Sequence, residues 1–277
     1  MTDALRLIEG SRESGTLARV VDRVSELAAS YEPPTFEEVP RPDAALFLSA
    51  IDHRTGYRAA YLVGGKGPFE GSALLWQLGL LADRRRSGLL SAATLADADD
   101  AMVEDVFRVG GETVAGAGER AAMWRDLALG LRRDYAGSTD ALLAAADGRL
   151  GGSGGLLVRL SGFEAFADPL QKKAFLFAKI CARRGWLEVA DPESWEVCAD
   201  NVLMRLALRS GLVPQASRDE VRAATRAAFK RVAERAGIAP PLLDDLLWEL
   251  GRDDPDLLGT EGGDVREPER DPASTWY

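Results

Sequence analysis

The sequence predicts a predominantly α-helical protein built around one core, and three observations carry that prediction. From Gly71 to Leu250 apolar residues recur at three- and four-residue spacing in almost every segment. The same segments are rich in alanine and leucine, which favour helix. Only the turn-rich stretch from Arg54 to Gly71 has β character, and there a short hairpin is expected through 57–63, closed by Gly64-Gly65. No linker is long or polar enough to separate two domains, so residues 1–277 read as a single helical domain.

In order along the chain, Leu5, Leu7 and Ile8, then Leu17, Val20, Val21, Val24 and Leu27, give two helices within 3–31, separated near Gly10 to Gly15. The opening MTDALRLIEGSRESG is amphipathic and broken by charges, without the apolar centre and small-residue cleavage site of a secretory signal. Pro33-Pro34 to Pro42 is an extended connector. An apolar run, ALFLSAID, then ends in Asp52-His53. Helices follow in GSALLWQLGLLADRRRSG, LADADDAMVEDVFR and AGERAAMWRDLALGLRRDY. Further helices are expected over 138–146, 155–160, 169–184, 194–209, 218–236 and 241–250. No repeat of fixed period occurs, which argues against a solenoid. Residues 251–277 are acidic and Pro/Gly-rich and end in Trp276-Tyr277; they form a tail expected to dock on the domain.

Composition removes several function classes. Two cysteines, Cys181 and Cys198, and one histidine, His53, are too few for a disulfide framework, an iron–sulfur loop, a zinc ribbon or a histidine-rich metal site. No metal or cofactor is expected. No apolar run approaches the ~20 residues of a membrane helix, and a cytoplasmic location is expected. A formal charge of −10 argues against duplex nucleic acid, which a basic face would bind by counterion release. One phosphate group on a small molecule remains compatible with local lysine and arginine clusters, so the expected partner is a small molecule or a protein.

Four groups of residues stand out, each with a structural explanation beside the chemical one. Asp200 opens the apolar helix of CADNVLMRLALRSGLV, for which Gly211 is a plausible C-cap. Asp200 is either an N-cap or a carboxylate held in a semi-apolar cleft to activate water or steady a cation. Lys172 and Lys173 begin a helix with Phe175, Leu176 and Phe177; adjacent residues point to different faces, so one lysine is expected to face solvent. Asp52-His53 follows an apolar run, where a lone histidine is ordinarily a hydrogen-bonded structural residue. Asp244-Asp245 opens a helix after Pro240-Pro241, as the helix dipole favours. The glycine-rich GGKGPFEG and GRLGGSGG lack phosphate-loop spacing and read as turns.

Several of these pieces stand in an order that resembles the queuosine-salvage family, the queuosine 5′-phosphate N-glycosylases, relatives of the helix-hairpin-helix DNA glycosylases. LQKKAFLFAKI followed by CADNVLMRLALRSGLV is similar to that family's Lys-x-Ala-Gln and Ala-Asp-Tyr-Arg-x-Pro-Gln helices. DVFR and GERAAMWRDLALGLRRDYAGS resemble its Phe-Arg pair, Glu-Arg helix and Tyr-x-Gly-Ser end. EVRAATRAAFKRV, LLDDLLWELGR and STWY resemble its later helices and aromatic C-terminus. The scattered matches span roughly residues 45 to 277. The resemblance implies a DNA-glycosylase-like helical fold with a pocket for a modified purine nucleotide. It gives Asp200 the place of the catalytic aspartate and Lys172 that of the active-site lysine. Asp244 and Trp248 take pocket-lining positions. The chain departs from the family at Asp52-His53-Arg54-Thr55-Gly56, in place of Asn-Phe-x-Phe-Trp, and at Asn201 to Arg205, in place of Tyr-Arg-x-Pro-Gln.

The implied reaction is hydrolysis of the base–sugar bond of a queuosine-like, 7-deazapurine nucleoside 5′-phosphate. Asp200 would steady the cation-like sugar and activate water, and Lys172 would orient Asp200 or hold a phosphate oxygen. Asp52, His53 or Asp244 would assist the leaving base. Two other readings are a DNA-base glycosylase, which the charge of −10 opposes, and a non-catalytic relative that binds a nucleotide or a protein.

Overall fold

A computed structural model describes residues 13–263 and 274–276. Among them, twelve α-helices and one two-stranded antiparallel hairpin give an all-α protein with 56% helix. The expected first N-terminal helix, residues 264–273 of the tail, and Tyr277 lie outside the described residues; Ser274 is buried and Trp276 is half-buried. The chain divides into two compact units, one of Met1–Pro34 with Glu193–Asp271 and one of Thr35–Pro192 with Pro272–Tyr277. No described helix is long and apolar enough to cross a membrane.

The 35–192 unit is built around α2 (Pro42–Ala50), the apolar run that the sequence left unassigned. Seven consecutive residues from Ala44 to Ala50 are buried, so this helix is apolar on all sides and central. The hairpin follows, with β1 (Tyr61–Val63) and β2 (Lys66–Phe69) joined by Gly64-Gly65. Both glycines have positive φ, as a two-residue hairpin turn requires. The strands lie later than expected because 57–60 is used for docking: Tyr57 donates its hydroxyl to Phe107 O at 2.7 Å, and the Arg58 N–H bonds to Glu112.

The α3 helix (Gly71–Arg85) runs so close to α2 that a Cβ at Gly79 would overlap the Leu48 side chain. Gly79→Ala is therefore expected to cost about 1 kcal/mol net, overpacking outweighing the gain in helix propensity. A urea titration checks this, and an equal or raised midpoint would contradict it.

The segment 95–108, expected as one helix, is broken into α4 (Ala92–Leu95) and α5 (Asp100–Val106). Asp99 interrupts it by turning its carboxylate onto the Met102 N–H at 2.8 Å. Next come α6 (Ala117–Asp134), α7 (Thr139–Ala146), α8 (Leu156–Leu160) and α9 (Lys172–Arg183). Trp124 donates to Phe47 O at 2.8 Å and so ties α6 to α2. The α9 helix starts three residues later than expected, since Asp168 accepts the N–H groups of Leu170 and Lys172 in a turn.

The other unit contains α1 (Glu13–Ala28), α10 (Asn201–Arg209), α11 (Arg218–Ala236) and α12 (Pro240–Asp253). Expected over 194–209, α10 instead starts at Asn201, because Asp200 adopts extended backbone and caps it. Gly211, at φ +71°, ends it as expected. Glu220 reaches back to the Ser217 N–H at 3.1 Å to open α11. At Gly251 a side chain would collide with Leu206, which fixes the close packing of α12 on α10.

Candidate functional site

The candidate residues expected from the sequence divide between the units. Asp52, His53 and Lys172 belong to the 35–192 unit, and Asp200, Asp244 and Trp248 to the other.

Asp200 is 9% exposed, and its Oδ1 accepts the N–H groups of Val202 at 2.9 Å and Leu203 at 3.1 Å. Its approach loop is fastened from two helices. Asp244, on α12, accepts the Cys198 N–H at 2.7 Å, and Arg222, on α11, donates Nε to Ala199 O at 3.0 Å. Asp244 and Asp245 fall in the second turn of α12, not its first, and both are buried, so the helix dipole does not account for them. Asp244 positions the backbone that carries Asp200. Trp248 lies one turn further along α12, half-buried, with the Arg252 guanidinium 5.4 Å from its ring centroid.

In the 35–192 unit the end of α2 meets the starts of α6 and α9. Lys172 is half-buried, whereas Lys173 is fully buried. The Lys173 ammonium donates to Ala50 O at 2.7 Å and to His53 Nδ1 at 3.0 Å. That bond makes Nδ1 an acceptor, so the imidazole proton sits on Nε2, which donates to Glu119 Oε1 at 2.7 Å. Arg54 Nη2 also reaches Glu119, at 2.9 Å to Oε1 and 3.1 Å to Oε2. Arg120, wholly buried, donates to the carbonyls of His53, Arg54 and Ala115. Asp52 is buried with Oδ2 3.3 Å from Trp76 Nε1, so in this unit Asp52 and His53 sit together while Glu119 is the carboxylate nearest solvent.

The electrostatics follow from burial first. Burial drives His53 far below the usual imidazole value, and the positive charges of Lys173, Arg120, Arg54 and Lys172 add to it. Burial, with the charge of Lys172, lowers Lys173 to about 7. Burial lowers Arg120 to about 10, so it remains charged. His53 is thus a neutral hydrogen-bond donor rather than a proton source.

As the sole histidine, His53 is expected to keep a neutral ring with the proton on Nε2 from pH 8 to 5; Lys173, bonded to Nδ1 and lowered to about 7, shifts the ring's NMR signals near that pH without adding a second proton to the ring. Its folded value lies below its unfolded value of about 6.5. The stability it contributes is therefore present above pH ~6.5 and lost below it, by up to ~1.4 kcal/mol per pH unit. Conversion of the ring to imidazolium, with both nitrogens protonated, near pH 6.5 in the folded protein would contradict this.

From the sequence, Lys173 was seen only as one of a lysine pair, and Glu119 and Arg120 only within the stretch that resembles the family's Glu-Arg helix; none of the three was assigned a role. Two of them had a signal: Lys173 is in phase with Phe177 and Ile180, and Arg120 with Trp124, Leu127 and Leu131, so each interrupts an apolar stripe. Glu119 had no such periodic signal, only its place in a helix's first turn and in the stretch that resembles the family's Glu-Arg helix. Among the described residues no group of three or more histidine, cysteine or acidic side chains is placed to hold a metal ion. No protein-family model matches the chain, and no curated protein matches it.

Proposed function

We propose that the protein is a cytoplasmic N-glycosidase that hydrolyses the base–sugar bond of a modified, queuosine-like 7-deazapurine nucleoside 5′-phosphate in salvage. The observation that carries this reading is Asp200. The residue that the family resemblance assigns to catalysis is a buried carboxylate at the head of an apolar helix, held by two backbone N–H groups and by a loop that Asp244 and Arg222 fasten. Such fixing suits a group that must face a developing positive charge without reorganising.

In the reaction, water attacks C1′ as the C1′–N9 bond breaks. Asp200 stabilises the cation-like sugar and takes the proton of the water, and the base leaves with the bond electrons and gains a proton. The products are free base and ribose 5-phosphate. Lys172 is assigned the orientation of the carboxylate or of a phosphate oxygen by the same resemblance, and its variant is assayed separately.

A second reading has a specific observation in its favour. The two capping bonds on Oδ1 alone explain why an aspartate stands at position 200, as they would in a nucleotide-binding relative without catalysis. Incubation with queuosine 5′-phosphate and a panel of ordinary and 7-deazapurine nucleosides and nucleotides separates the two. Release of base from the 7-deazapurine nucleotides is the expected result. Binding without release would leave the second reading standing.

A further inference from the structure

Glu119 closes a chain of hydrogen bonds that begins in the core. From Ala50 O the chain passes through the Lys173 ammonium, the neutral His53 ring and Nε2–H to Glu119 Oε1. Burying an ammonium and an imidazole costs several kcal/mol, which a surface ion pair of Arg54 with Glu119 would not require. Everything up to His53 Nε2 is buried, while the Glu119 side chain is 35% exposed. Its two oxygens are unequal: Oε1 takes both His53 and Arg54, whereas Oε2 takes Arg54 alone, at 3.1 Å. A carboxylate oxygen accepts more than one bond, so Oε2 has acceptor capacity to offer an incoming donor. The first turn of α6 adds the favourable end of its dipole to the negative charge.

We propose that Glu119 is a ligand-contacting carboxylate of the 35–192 unit, set in place by the buried Lys173–His53 pair to accept an N–H of a purine-type base through Oε2. Lys173 and His53 are positioning residues. A neutral His53 cannot trade its proton for charge, so it fixes where Glu119 points without neutralising it. The choice of a 7-deazapurine as the base rests on the glycosidase reading; the carboxylate's role as an N–H acceptor does not.

The test follows the single histidine by proton–nitrogen NMR while 7-deazaguanine is added, and in a second arm ribose 5-phosphate. 7-Deazaguanine is expected to move the His53 Nε2–H signal saturably. Glu119→Gln keeps an oxygen for His53 but loses the charge; it should preserve the Nε2 proton and weaken 7-deazaguanine binding by at least ~10-fold. If Glu119→Gln does not fold, Glu119→Asp, which withdraws the carboxylate by one methylene, is judged by the same weakening. Unchanged affinity in the folded variant, no response to 7-deazaguanine, or a response to ribose 5-phosphate alone would overturn the proposal. Because binding is read without turnover, absence of base release would remove the glycosidase reading and leave this one standing or falling by itself.

Discussion

Asp200→Asn is expected to lower kcat for base release by ~10³-fold or more while leaving the protein as stable as before. The loss corresponds to ~4 kcal/mol of transition-state stabilisation, the scale of removing a preorganised group that faces developing charge. Stability should hold because asparagine caps a helix as well as aspartate does, and its amide oxygen can accept the same bonds from Val202 and Leu203. Asp200→Ala should lose the activity too, and also about 1 kcal/mol of stability as the cap disappears. Measuring kcat and the urea midpoint for both variants separates chemistry from capping. An Asp200→Asn protein within ~10-fold of the parent would mean that Asp200 is a cap alone.

Arg120→Ala is expected to be the most destabilising single change in the 35–192 unit, at about 3–5 kcal/mol. One guanidinium serves three backbone carbonyls, those of Ala115, His53 and Arg54, which gathers the loop between α2 and the hairpin onto α6. Its charge also balances Asp52 and Glu119. Truncation leaves carbonyls without a donor, empties a fully buried volume and exposes two carboxylates to each other. Arg120→Met would restore most of the volume but none of the bonds, so it should recover only part of the loss. Urea unfolding measures both, and a cost below ~1 kcal/mol for Arg120→Ala would show that the carbonyls find other donors.

Helices were legible where Ala/Leu periodicity ran unbroken, as in α3, α6 and α11, and the hairpin's turn was legible in Gly64-Gly65. Side-chain capping was less so: Asp99, Asp168 and Asp200 each displaced a helix start by bonding backbone N–H groups that the apolar pattern would have enrolled in helix. ALFLSAID gave no period because α2 is buried on every side. At the candidate site, Asp200 and Asp244 could be picked out because one opens a strongly apolar helix and the other lies within another. The lysine pair could be seen, but not which member turned inward, since adjacent positions differ by about 100° and either face was apolar enough. Glu119 gained its significance only through His53, 66 residues away in sequence, a pairing that no local pattern encodes.

The most direct measurement is a product balance: purified protein is incubated with queuosine 5′-phosphate, and free base and ribose 5-phosphate are both quantified over time, with Asp200→Asn in parallel. Equal molar release of the two products by the parent protein, and none by the variant, is the expected result. Intact nucleotide in both reactions, with 7-deazapurine nucleotides bound but unchanged, would contradict glycoside hydrolysis.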